Sequence, residues 1–150
     1  RLGHGEDGDV LAPEPVTALE RKRVVQVSAP CCGAHALART AEGAVYSWGC
    51  GAGGRLGHGD VANRVLPTIV EGLRKVHVVE VCAGGSSGAG VAGAAMSCAL
   101  TANGSLLTWG RCAGHGGDED VLVPRIKQVP KPTSIGALPP GTGLDHLLGG

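Results

Sequence analysis

The sequence predicts an all-β protein made of β-propeller blades, each a four-stranded antiparallel sheet, arranged as an incomplete propeller. Three observations support this fold class. The segment Arg1–Gly5 returns as Arg55–Gly59, 54 residues later. A second segment, Thr40–Gly49, returns as Thr101–Gly110 at an offset of 61. Glycine makes up 27 of the 150 residues, well above the usual ~7%, which implies many short turns. Repeats of this length are typical of propellers, solenoids or arrays.

The first two strands of a unit are short apolar runs. Val24–Val27 and its copy at residues 76–81 are rich in β-branched residues and partly alternate with polar ones. Ala36–Thr40 and Cys98–Thr101 are runs of small apolar residues, which suit a strand covered on both faces. We therefore expect an antiparallel pair at the start of each unit.

A hairpin and an edge strand complete the unit. Glu42–Gly43 and Asn103–Gly104 predict tight turns, and the following segments, 44–48 and 105–109, return along the hairpin. After the Gly-rich stretch 49–59, a weaker extended segment is expected near Pro67–Val70. Proline cannot donate a ladder hydrogen bond, so this fourth strand is predicted at an edge.

A third copy of the turn, Gly114–Gly116, sets the predicted domain organisation. Pro124 and Ile126 follow it at an offset of 57 from Pro67 and Ile69. The chain is expected to start within one unit and to stop within another. The predicted propeller repeats occupy residues 1–129, in units of about 1–49, 50–110 and 111–129. Residues 130–150 are rich in Pro and Gly and out of register, so they are interpreted as a linker or an inter-blade insertion.

Charge and hydropathy argue against two classes of partner. The formal net charge is zero, charged residues are 17%, and there is no block of like charge. A basic surface for direct nucleic-acid binding therefore has no support. No apolar run is long enough for a membrane helix, so no membrane contact is expected. We expect an intracellular protein of the cytoplasm or nucleus.

The six cysteines show neither C-x-x-C spacing nor pairing with histidine as in a metal finger. They are interpreted as small buried thiols in a reducing compartment. The even number leaves an extracellular disulfide framework as the alternative, which we disfavour because most of them lie in predicted strands.

A series of short segments follows a fixed order along the chain. They are Val24–Val27, Gly33, His35–Thr40, Gly43–Gly49, Gly54–Asp60 and Pro67–Val70. This order resembles the repeat of the regulator of chromosome condensation family, over roughly residues 1–129. In that family seven units close into a seven-bladed propeller, so the chain resembles about a third of one.

The resemblance implies a protein-protein interaction platform without catalytic residues or cofactors in this chain, although a catalytic domain fused outside it is an open alternative. One alternative function is a guanine-nucleotide exchange factor for a Ran-like small GTPase. Another is the substrate-recognition part of a multidomain ubiquitin ligase.

The loop residues of this chain depart from those of the resembled family. The family's founding member uses acidic and histidine side chains in these loops to act on its GTPase. The matching loops here offer only Ala34, Ser86 and Ser87, and Met96 replaces the histidine in the second unit.

The candidate site residues divide into predicted structural positions and predicted partner contacts. The recurring histidines suggest a metal site, but equivalent positions around a ring lie too far apart to share an ion, so no metal ligand is predicted. The predicted structural positions are His4, His35, Trp48, Gly49, Gly57, His58, Gly59, Trp109, Gly110 and His115. The predicted partner-binding loop residues are Ala34, Ser86, Ser87, Asp118, Glu119 and Asp120. The acidic run at 118–120 would suit a basic partner.

Overall fold

The computed structural model describes residues 2–5, 8–30, 35–85, 95–111, 113 and 119–127. These residues form two four-stranded antiparallel sheets, and in each sheet the strands lie in chain order. The first sheet consists of β1 (Val24–Ser28), β2 (His35–Thr40), β3 (Val45–Gly49) and β4 (Arg64–Ile69). The second consists of β5 (Val78–Gly85), β6 (Ala95–Thr101), β7 (Leu106–Gly110) and β8 (Val121–Ile126). Short 3-10 helices lie at Thr17–Leu19, Ala52–Gly54 and Glu71–Leu73.

The two sheets repeat one register. Val24 pairs with Thr40 in the first sheet, and Val78 pairs with Thr101 in the second. A β-bulge follows each of these pairs at the same place in the strand. Since the sequence offsets between paired residues are preserved, the second sheet is a second copy of the first. The predicted all-β blade architecture is therefore confirmed.

The hairpin between β2 and β3 differs in detail from the predicted turn. The amide of Gly43 donates to the carbonyl oxygen of Thr40 at 3.0 Å, which places Ala41 and Glu42 at the two central positions. Gly43 follows them with φ of +83°, a left-handed conformation that glycine adopts without steric cost. The predicted central pair was thus wrong by one residue, because the glycine closes the turn instead of lying inside it. The β6–β7 hairpin, predicted at Asn103–Gly104, repeats this arrangement.

The fourth strand of each sheet lies at an edge, as its proline predicts. β4 contains Pro67 and β8 contains Pro124, and each pairs only with the strand before it. β4 is longer than the predicted segment, since it begins at Arg64. Each fourth strand follows the glycine-rich loop, so a blade takes three strands from one predicted unit and its last strand from the next.

The main core lies between the two sheets. One face of the first sheet packs against one face of the second, so that the apolar alternation of both sheets is buried at this contact. The fully or nearly fully buried residues there are Leu37, Val45, Val70, Leu73, Val78, Val81, Ala83, Ala99, Leu107, Trp109, Ala113 and Val121. A smaller cluster of Ala36, Ala38 and Trp48 covers the outer face of the first sheet with Leu19 and Val24.

Each sheet keeps part of its other face open. Val27 is 61% exposed, whereas its equivalent in the second sheet, Val81, is 2% exposed. Leu37 is fully buried, whereas its equivalent, Cys98, is only half-buried. The propeller is therefore incomplete. The prediction of buried thiols is wrong for Cys82, which is exposed because it lies on this open face. Cys50 is half-buried.

Candidate functional site

The glycine-rich loop between β3 and β4, residues 50–63, joins the two sheets through hydrogen bonds, two of which are accepted by one backbone carbonyl. The oxygen of Arg55 accepts a hydrogen bond from the indole Nε1 of Trp109 at 2.9 Å and another from the Ser97 hydroxyl at 2.8 Å. Both donors are fully buried and belong to the second sheet. We call Arg55, Ser97, Trp109 and His35 the inter-sheet network.

The tryptophans pack on glycines of this loop and of its earlier copy. A Cβ atom placed on Gly57 would lie 2.8 Å from Nε1 of Trp109, so no side chain fits there. In the first sheet, a Cβ placed on Gly3 would lie 3.1 Å from Nε1 of Trp48. In both sheets, therefore, a glycine of the recurring Arg-Leu-Gly-His-Gly segment contacts the tryptophan of the same predicted unit.

His35 completes the network from the first sheet. Its Nε2 lies 2.9 Å from the Ser97 hydroxyl oxygen, and the side chain is 3% exposed. Because Ser97 donates its proton to the Arg55 carbonyl, Nε2 of His35 must be the donor to Ser97, which fixes the neutral tautomer. Burial, and secondarily the positive charge of Arg55, lowers the pKa of His35 to about 4. His35 is therefore a neutral structural donor at pH 7.

Folding stability should fall as the pH drops from about 6.5 towards 4. In this window the unfolded chain protonates an imidazole of ordinary pKa 6.5, while the folded chain keeps His35 neutral. The unfolded state binds more protons, so stability is lost as pH falls, by about 2–3 kcal/mol for this group. Urea denaturation at pH 7.5, 6, 5 and 4 measures the change.

The chain offers its own matched control for this titration. The second sheet carries Met96 at the position of His35, since each pairs with the last glycine of the neighbouring strand. The His35→Met variant should therefore show a shallower loss of stability towards pH 4. A variant with the same pH profile as the wild type would contradict the assignment to His35.

His58 has a comparable structural partner. Its Nε2 lies 2.9 Å from the hydroxyl oxygen of Ser47, which donates to the carbonyl of Leu56 at 2.7 Å. Burial first, and the charge of Arg64 second, lowers the pKa of His58. Among the described residues, no group of three or more His, Cys, Asp or Glu could hold a metal ion. His4 is half-buried in the N-terminal segment, and His115 lies outside the described residues.

The described strand ends next to the predicted partner loops, among them His35, Gly85 and Val121, lie at one end of the sheets together with Gly49, and we call this end the loop end. Here Glu119 and Asp120 are exposed. Asp120 forms an ion pair of 3.6 Å with Arg111. The predicted contacts Ala34, Ser86, Ser87 and Asp118 lie outside the described residues.

A second acidic group at the loop end is also paired. Asp60 and Arg64 are 2.7 Å apart, and both are solvent-accessible. The hydrogen bond from Arg64 first, and that from the Ala62 amide second, lowers the pKa of Asp60. An exposed pair of this kind adds little to stability.

The opposite end of the sheets, the turn end, carries a basic surface that sequence reasoning missed. A shallow cavity of about 450 Å³ there has four cations in its lining, Arg21, Lys22, Arg23 and Arg74, and one carboxylate, Glu42. Arg74 pairs with Glu71 at 2.9 Å. Arg21, Lys22 and Arg23 are consecutive, and Arg74 joins them only when the fold brings segments 20–24 and 70–78 to the same cavity. The short basic run was the signal available in the sequence.

The fold and the network together define an open segment of a β-propeller whose blades are joined by loop-to-strand hydrogen bonds. Residues 42–91 match the family described as the regulator of chromosome condensation (RCC1) repeat. The chain therefore contains an RCC1-type repeat. No helix in the described ranges is long and apolar enough to span a bilayer.

Known proteins resemble the chain in sequence and in fold. It is 40% identical over 128 residues to the E3 ubiquitin-protein ligase HERC2 of Mus musculus, covering 80% of this chain and 2% of that protein. It superimposes on human WBSCR16 with a TM-score of 0.58 and 30% identity, over 73% of this chain and 26% of that one. For Prp20p of Saccharomyces cerevisiae the TM-score is 0.59 at 21% identity, over 74% and 27%. The chain thus spans about a quarter or less of these proteins.

Proposed function

We propose that the chain acts as a protein-protein interaction platform, by recognition and not by catalysis. One observation carries this proposal: His35 and His58, which could otherwise serve in catalysis, are held in structural hydrogen bonds. His35 is a neutral donor within the inter-sheet network, and His58 is bonded to Ser47. Exposed charges are presented instead at both ends of the sheets, on loops carried by a rigid scaffold.

The partner surface that we propose is the loop end. It comprises the loops that contain Ala34, Ser86, Ser87 and residues 118–120. Its described carboxylates are Glu119, Asp120 and Asp60, of which Asp120 is paired with Arg111 and Asp60 with Arg64. This rim of carboxylates would attract a basic protein segment and speed its association. We infer an intracellular setting, in the cytoplasm or nucleus.

Two alternatives each have a specific observation in their favour. The likeness to HERC2, a ubiquitin ligase, favours a role as the substrate-recognition part of a larger ligase. The fold shared with Prp20p, a protein described by its binding to Gsp1p and histones, favours the exchange of nucleotide on a Ran-like GTPase. Both alternatives use the same scaffold, and they differ in what the loops do to the partner.

Binding and exchange assays separate these functions. We expect the Glu119→Gln/Asp120→Asn double variant to bind purified histones about five- to tenfold more weakly than the wild type, because two rim charges are lost. The matched control is Lys22→Gln/Arg23→Gln at the turn end, which should bind as the wild type does. Affinity is measured by fluorescence anisotropy at two salt concentrations.

The same preparations are then mixed with a Ran-like GTPase loaded with a fluorescent nucleotide. A platform should leave the rate of nucleotide release unchanged. Acceleration by orders of magnitude would overturn the platform in favour of an exchange factor. Equal weakening by both double variants would show that the loop end is not the binding surface.

A further inference from the structure

Two cysteines face each other across neighbouring strands of the second sheet. Cys82 in β5 and Cys98 in β6 are direct partners in the register, so their side chains leave the sheet on the same face. Their neighbours Val81 and Ala99 are buried against the first sheet, and the cysteines therefore lie on the open face. Cys82 is exposed and Cys98 is half-buried.

The two thiols interact. Burial first, and the neighbouring Cys82 second, raises the pKa of Cys98. Neither thiol is bridged, and both are free cysteines. Cys82 is the more accessible of the two and is the group that a solution reagent reaches first.

The repeat shows what other residues do at these two positions. In the first sheet the equivalent pair is Ser28 and Leu37, which are also register partners. The hydroxyl of Ser28 accepts a hydrogen bond from the Ala83 amide of the next sheet at 2.9 Å. Leu37 is fully buried against that sheet. The cysteine pair therefore occupies positions that form a blade contact, and it brings sulfur chemistry that serine and leucine lack.

The backbone around the pair places the two thiols within bridging reach. Both the amide and the carbonyl of Val81 are bonded to the side chain of Gln26, at 3.0 and 2.9 Å, so they point away from β6. Because backbone direction alternates along a strand, Cys82 is then in a hydrogen-bonded pair with Cys98. Cα atoms of such pairs lie roughly 5.5 Å apart, inside the range of about 4.4–6.8 Å that disulfides span.

We propose that Cys82 and Cys98 form a redox-active dithiol, oxidised reversibly by a low-molecular-weight disulfide of the glutathione class. The Cys82 thiolate attacks one sulfur of that disulfide, forming a mixed disulfide and releasing one thiolate. The Cys98 thiolate then attacks the Cys82 sulfur, forming the intrachain bridge and releasing the second thiolate. The dithiol loses two electrons and two protons, the reagent gains the electrons, and the released thiolates take up the protons.

The bridge should be easy to reduce again. The bridge would lie on the open face, where Cys82 is exposed to solvent. Exposed disulfides have more oxidising potentials and serve as labile bonds instead of permanent ones. Oxidation would also change the face that, in the first sheet, contacts the next blade. The pair thus makes that face responsive to the thiol redox state.

Oxidation with glutathione disulfide tests the proposal directly. The reduced chain is incubated with oxidised glutathione, the remaining thiols are alkylated, and peptides are mapped by mass spectrometry. We expect a linked Cys82–Cys98 peptide that dithiothreitol fully reverses. Peptide mapping of the wild type assigns the bridge even if a variant folds poorly.

In two variants, each cysteine is replaced by the residue that the first sheet carries at the equivalent position, so that the local structure is preserved. Cys98→Leu should stop at a glutathione adduct on Cys82, because the second thiolate is missing. Cys82→Ser should form no bridge at Cys98. Cys50→Ser is the control, and it should give the same bridge as the wild type. The proposal is overturned if the wild type also stops at the adduct, or if Cys82 and Cys98 bridge to other cysteines instead.

Discussion

Trp109→Ala is expected to lower the free energy of unfolding by about 3–5 kcal/mol. The indole is fully buried in the main core, and it contacts Gly57 of the loop that crosses from the first sheet. Truncation removes its apolar contacts, and it also leaves the Arg55 carbonyl with only the Ser97 hydroxyl as a donor. Urea denaturation followed by circular dichroism at pH 7.5 measures the loss.

Two further substitutions separate packing from hydrogen bonding at this site. Trp109→Phe keeps an aromatic ring but removes the N–H donor, so we expect a smaller loss, about 1–3 kcal/mol. Leu100→Ala is the surface control, since Leu100 is 36% exposed on the open face of the same sheet. A Trp109→Ala loss no larger than that of Leu100→Ala would show that the inter-sheet network does not hold the blades together.

The sequence alone was sufficient for the blade because the repeat constrains it. Offsets of 54, 57 and 61 residues between matching segments reappear as identical strand pairing in the two sheets. The insertions between the repeat copies leave the pairing register of the strands unchanged. Alternating and small-residue runs then identify which segments are strands, and Pro67 correctly predicts that the fourth strand lies at an edge.

Contacts between the sheets were harder to predict from the same repeat. Superposing units shows which positions are equivalent, but it does not show which unit each one touches. From the sequence, His35 is interpreted as an isolated histidine at the start of a strand. In the structure it forms a hydrogen bond with Ser97, 62 residues away. The backbone carbonyl of Arg55, which receives two donors, has no signature in the sequence at all.

The candidate surfaces depend on the same long-range pairing. The basic cluster at the turn end joins the short run Arg21–Arg23 to Arg74, which lies far from it in the sequence. The Cys82–Cys98 pair likewise depends on the register of β5 with β6, which a bulge shifts by one residue. Without that bulge, each thiol would face a different partner. Such contacts can be predicted only when the pairing register of the strands is known residue by residue.

Gly110→Ala is the second substitution with a large expected effect, and it tests the strand ends from which the loops leave. Gly110 ends β7 with φ of +103°, in the region that side-chain-bearing residues rarely adopt. A Cβ atom there would also lie 2.6 Å from the Ala95 carbonyl oxygen and 3.0 Å from the Met96 Cα. Because both obstacles are backbone atoms, they cannot move aside as a flexible side chain would. We expect a loss of about 3 kcal/mol or more in denaturant unfolding.

Gly104→Ala is the matched control, because it shares the backbone strain without the collision. Gly104 has φ of +81°, yet nothing lies within 4 Å of a Cβ placed on it. Its substitution should therefore cost only about 1 kcal/mol. The difference between the two variants measures how tightly β6 and β7 are held at the loop end. Equal losses would mean that the positive φ alone explains why position 110 is a glycine. They would also mean that the strands can move apart there to accommodate a side chain.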